Sequence, residues 1–109
     1  MENFEQRWAE VEQLMQERFE KLPDFEGMLF LVGVNELGSM PRRKFSKEQK
    51  QDLMHIAVCT LLAQEGYYEF AGRDDDGWPH YNHIKPVPAN SINTQEQLLK
   101  ECMIQYFGL

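Results

Sequence analysis

Three groupings in this chain combine residue types and spacings that can support chemistry. His55 and Cys59 are four apart. On a helix they share one face, which suits a pair of zinc ligands or a thiol activated by imidazole. Two ligands do not complete a zinc site. The run Ile56-Ala57-Val58-Cys59 points instead to a buried thiol, whereas a reactive one needs exposure and positive surroundings. His80 and His83 form an HxxH pair. Strand side chains alternate, so the two point to opposite faces and meet at a metal only if Pro79 makes the segment irregular. No Cys-x-x-Cys or His-Glu-x-x-His signature accompanies them. Asp74-Asp75-Asp76-Gly77 resembles part of a calcium loop. Placing Gly77 at loop position six puts Gly72 at one and His83 at twelve, where an EF-hand requires an acid and a glutamate. The run therefore reads as a surface turn. Ser39, Ser46 and Ser91 lie in cap or loop contexts rather than a nucleophile elbow, and no glycine-rich phosphate loop is present.

Two further segments point to binding. Arg42, Arg43 and Lys44 precede Ser46, the start of an expected helix. Helix N-termini and arginines both hold anions, so a phosphate-bearing ligand is one candidate, and contact with the acidic first helix is another. Tyr67 to Lys85 holds five of the thirteen aromatic residues. Tyr68 and Phe70 are expected on one hairpin face, with Trp78, His80 and Ile84 on another. The aromatics either cover the helices as a satellite core or anchor an interface, for which Trp78, Tyr81 and Arg73 near the turn are the usual residue types.

The elements that must position these residues follow from periodicity. Glu2 to Leu22 carries Phe4, Trp8, Val11, Leu14, Met15, Phe19 and Leu22 at steps of three and four, one face of a helix that Pro23 ends. Asp24 and Gly38 frame a second helix, Phe25 to Leu37. Its centre is apolar all round, so burial on most sides is expected, and a buried strand is the competing assignment. Ser46 and Gln49 form a capping box for a third helix that Gly66 ends. Tyr67 to Ala71 reads as a strand, Asp74 to Gly77 as a turn, and Trp78 to Ile84 as the return strand. Pro79 must take an edge position. Asn93 or Thr94 caps a last helix to about Phe107. The predicted architecture is mainly α: a single domain over 1–109, like a four-helix bundle, with a short antiparallel β-hairpin (about 67–84) between helices 3 and 4. A lone hairpin is marginal in water, so it must pack on the helices or pair with a neighbour.

Composition narrows the function classes. The formal net charge of -7 disfavours nucleic acid and anionic membranes. The charge is uneven: residues 1–26 carry eight acids and three bases, and residues 41–50 carry five bases and one acid. One part of the molecule can therefore attract another part, or a second subunit. No apolar run approaches the roughly 20 residues of a membrane span. The acidic start, Met-Glu-Asn-Phe-Glu, lacks a secretion-signal pattern. Cys59 and Cys102 sit in apolar helical patterns and read as reduced residues of a cytosolic protein, with a single disulfide between them the alternative.

The segments NELG, KFSKEQKQDLMHIAVCTLL, GYYEF and DDGWPH together resemble a group of small bacterial proteins of unknown function, over about two thirds of the chain. The resemblance implies a small cytoplasmic bacterial protein and brings no catalytic residues with it. The expectation is a non-enzymatic protein–protein interaction module, a homodimer, with no cofactor. Its contact residues are Trp78, Tyr81, Arg73 and Tyr68 on the hairpin and Arg42, Arg43 and Lys44 on the basic loop. The alternatives are a metal- or thiol-dependent enzyme using His55 and Cys59 with His80 or His83 beneath the hairpin, and a phosphate- or nucleotide-binding module at the basic loop.

Overall fold

The chain forms helices α1 (Phe4–Phe19), α2 (Phe25–Leu37), α3 (Lys47–Ala63) and α4 (Ile92–Tyr106), with strands β1 (Tyr68–Arg73) and β2 (Pro79–His83) between α3 and α4. The computed structural model describes residues 4–19, 22–38, 45–87 and 92–109. The four-helix architecture with one antiparallel hairpin is the one expected from periodicity. Phe25 to Leu37 is helical rather than extended. The Asp24 carboxylate accepts from the Gly27 amide at 2.7 Å. At the other end Gly38 takes φ 80° and returns its N–H to the Val34 carbonyl. Ser46 and Gln49 exchange bonds as a full capping box, at 3.1 and 2.9 Å. Such a cap is worth about 1 kcal/mol.

Some boundaries move. α4 begins at Ile92, so Asn93 and Thr94 lie in its first turn instead of capping it. β1 runs on to Arg73 because the ladder contains a bulge. Phe70 pairs with Tyr81 and Gly72 with His80, leaving Ala71 as the extra residue. A bulge inverts the facing of everything beyond it. It turns Arg73, paired with Pro79, to the side that carries Tyr68, Phe70 and Tyr81. Pro79 is the first residue of β2, a position that tolerates its missing N–H.

The main core joins all four helices through Val11 and Met15 of α1, Val32 of α2, Leu61 of α3 and Met103 of α4, among others. Leu37, Leu53 and Ile56 form a second cluster, covered by Phe30, Val34, Phe45, Trp78 and Tyr81. This second cluster is the bed on which the hairpin rests. α2 and α3 approach closely at Gly33, whose absent side chain leaves room for the Leu53 backbone. α1 rests mainly on α4, while α2 rests on α3. Lys100 helps close the start of the bundle, its Nζ 5.2 Å from the Trp8 ring centroid and 5.8 Å from that of Phe25. The expectation that α2 is buried on most sides needs correction: Met28, Leu29, Val32 and Gly33 are buried, but Phe30, Leu31 and Val34 are only half-buried. The reason is that α1 covers α4 rather than the remaining face of α2. Among the described residues no helix is long and apolar enough to cross a membrane.

Candidate functional site

The hairpin is mounted by its own aromatic and charged residues. Tyr81 is half-buried, and its hydroxyl lies 2.8 Å from Thr60 Oγ1 on α3. Burial raises its phenol above the usual tyrosine value. Tyr68 packs against the main core and meets the His83 ring at 5.0 Å. Trp78 precedes β2 and packs on Leu37, Leu53 and Ile56. It therefore parts from His80 and Ile84, with which the sequence had grouped it, and those two are exposed. Arg73 donates to three carbonyls, Glu36 O at 2.7 Å, Gly77 O at 2.8 Å and Leu37 O at 3.1 Å. The bulge at Ala71 makes this possible. The guanidinium then ties the turn to the C-terminal end of α2, where unpaired carbonyls and the helix dipole favour a cation.

The acidic turn is organised by Asp74. One carboxylate oxygen accepts from the amides of Asp76 and Trp78, both at 3.0 Å. The other lies 2.9 Å from His80 Nε2. The His80 hydrogen bond, with help from the Trp78 amide, holds the Asp74 carboxyl below its usual range. Gly77 takes φ 85°, as expected for the turn. His80 and His83 are not brought together: one turns to Asp74 and the other to Tyr68.

His55 and Cys59 do share a face, with Nε2 3.6 Å from Sγ. Cys59 is buried, and burial pushes its thiol up to about 11. A thiol so protonated is a poor nucleophile near neutral pH. Among the described residues no three His, Cys, Asp or Glu side chains are placed to hold a metal ion. Arg42, Arg43 and Lys44 lie outside the described residues.

A second site was not foreseen. A cleft of about 620 Å³ opens between α1 and α2, closed at one end by the C-terminus of α4. Its walls are mainly apolar, including Leu14, Leu31, Val34 and Phe107, with Arg18, Asn35 and Tyr106 as polar groups. Asn35 Nδ2 donates to the Tyr106 hydroxyl at 2.6 Å, and that hydroxyl donates to Glu36 Oε1 at 2.5 Å. Burial, with the carboxylate as acceptor, pushes the Tyr106 phenol up to about 12. The signal that pointed here was the all-round apolar pattern of α2, which one helical neighbour cannot cover.

A pH prediction follows from this geometry. The folded protein keeps the Tyr106 proton to about 12, whereas the ordinary value is 10.0. Between those values the unfolded chain releases a proton that the fold retains, so stability falls as pH rises. Cys59 and Cys102, raised from 9.0 to about 11 by burial, act in the same direction. Tyr106→Phe is expected to cost about 1 kcal/mol at pH 8 through the lost hydrogen bonds. Thermal unfolding from pH 8 to 11 should show the gap between wild type and Tyr106→Phe narrowing as pH rises. A constant gap would refute the assignment.

No protein-family model, curated protein or solved structure matches this chain.

Proposed function

We propose that the chain is a non-catalytic protein–protein interaction module that works as a homodimer through its hairpin. The observation that carries this reading is the contrast between a firmly held hairpin base and two exposed apolar side chains, one on each face of the sheet. Trp78, Tyr81 and Arg73 fix the base to α2 and α3, yet Phe70 is 53% exposed and Ile84 54%. Among the described residues the sheet has two strands, and each has one edge without a strand neighbour. Open edges accept a further strand, and a second copy offers the same edge about a two-fold axis. Arg42, Arg43 and Lys44 would add charge attraction to the acidic first segment of the second copy. The resemblance to small bacterial proteins supports a bacterial source, and two free, buried cysteines fit a reducing cytoplasm. The raised Cys59 thiol weighs against the thiol-enzyme alternative.

Size-exclusion chromatography with light scattering tests the dimer. The chain is expected to run at twice its 12.9 kDa mass at high micromolar concentration. Phe70→Glu places a charge on each side of a two-fold contact, so it should raise the dissociation constant at least about tenfold while leaving the circular dichroism spectrum unchanged. A wild-type monomer at those concentrations would end this reading.

A further inference from the structure

We infer that the cleft between α1 and α2 binds a small amphipathic anion, with an apolar body between the helices and a negatively charged head at Arg18. This inference does not depend on the hairpin or on dimerisation. Size comes first: about 620 Å³ lies within the range of roughly 300–1,000 Å³ usual for small-ligand sites. The lining comes second. Leu14, Leu31, Val34 and Phe107 offer aliphatic and aromatic surface that no other element of the described chain covers. Charge comes third, and it selects the head group. Among the described residues lining the cleft, Arg18 is the one that is ionised. It follows Leu14 by four positions and Met15 by three, so the three share one helix face, and Arg18 is exposed on it.

Arg18 has no ion-pair partner among the described residues. The nearest acid of the polar cluster, Glu36, is engaged by the Tyr106 hydroxyl and does not line the cleft. The chain as a whole carries -7, so an anion is repelled by most of the surface and attracted here. Asn35 and Tyr106, held in one hydrogen-bonded row, supply polar groups beside the apolar wall. An apolar body with a carboxylate, phosphate or sulfate head meets these demands, and a guanidinium binds each of those heads through a fork of N–H donors.

The test is calorimetric titration of the full chain with sodium decanoate, and with decyltrimethylammonium as a cation of equal tail length, both below micelle-forming concentrations. Decanoate should bind saturably, one per chain, and the cation at least about tenfold more weakly. Arg18→Gln should weaken decanoate about tenfold and narrow the difference between the probes, as expected for one charge-assisted contact. Leu31→Trp, which fills the cleft, should remove binding of both. If that variant does not fold, Arg18→Gln on an exposed helix position decides the matter alone. Equal affinity for the two probes, unchanged decanoate binding in Arg18→Gln, or the absence of saturable heat would each overturn the inference.

Discussion

Gly33→Ala is expected to destabilise the fold by about 3 kcal/mol, the largest single effect anticipated in this chain. A Cβ at Gly33 would sit 2.1 Å from the Leu53 carbonyl oxygen and 2.7 Å from its carbon. Both are backbone atoms, so no side-chain rotation relieves the clash. α2 and α3 must separate, which loosens Leu37, Leu53 and Ile56 and with them the bed of the hairpin. Alanine is intrinsically the better helix former, by about 1 kcal/mol, so an unobstructed site would show a gain. The sign of the measured change therefore reports the helix crossing itself. Gly38 is the comparison. It has φ +80° and nothing within 4 Å of an added Cβ, so Gly38→Ala should cost only about 1 kcal/mol of backbone strain. Urea unfolding followed by circular dichroism separates the two. Wild-type stability in Gly33→Ala would mean that the helices do not cross there.

Arg73→Met is expected to cost about 2 kcal/mol, somewhat below the sum for three charge-assisted bonds because the side chain is exposed. The methionine keeps most of the apolar stem and removes the fork. The Glu36 and Leu37 carbonyls at the end of α2 then lose their cation, and Gly77 loses its tie to the helix. Hydrogen exchange should quicken in the turn and β2 more than in α4. Arg73→Lys should recover little, since one ammonium cannot span three carbonyls on two elements. A lysine variant as stable as wild type would show that charge alone, without the fork, holds the turn.

These two residues mark the boundary of what was legible from the chain. Gly33 appears in the sequence as one small residue inside MLFLVGV, and nothing local says that another backbone passes over it. Arg73 reads as a turn-proximal arginine suited to a partner. Its role emerges only because Ala71 bulges out and reverses its facing. Trp78 and Tyr81 were legible as important aromatics, but whether their rings face inward depended on where α2 and α3 place the second cluster.

The features that residue order alone settles are local ones. Asp24 with Gly38, the Ser46–Gln49 box, Gly77 in its turn and the order of four helices and a hairpin all rest on interactions within a few residues. Side-chain geometry over such short spans is set by dihedral preferences and adjacent hydrogen-bonding groups, which the order of residues encodes directly. Which faces meet is settled only by packing. α1 lies on α4 and α3 on α2, and the apolar surface left between α1 and α2 becomes a cleft with Arg18 beside it. Hydrophobic burial is non-directional. An apolar helix face states that it will be covered and does not state by what, so the partner, the gap and the site in that gap are properties of the packed molecule.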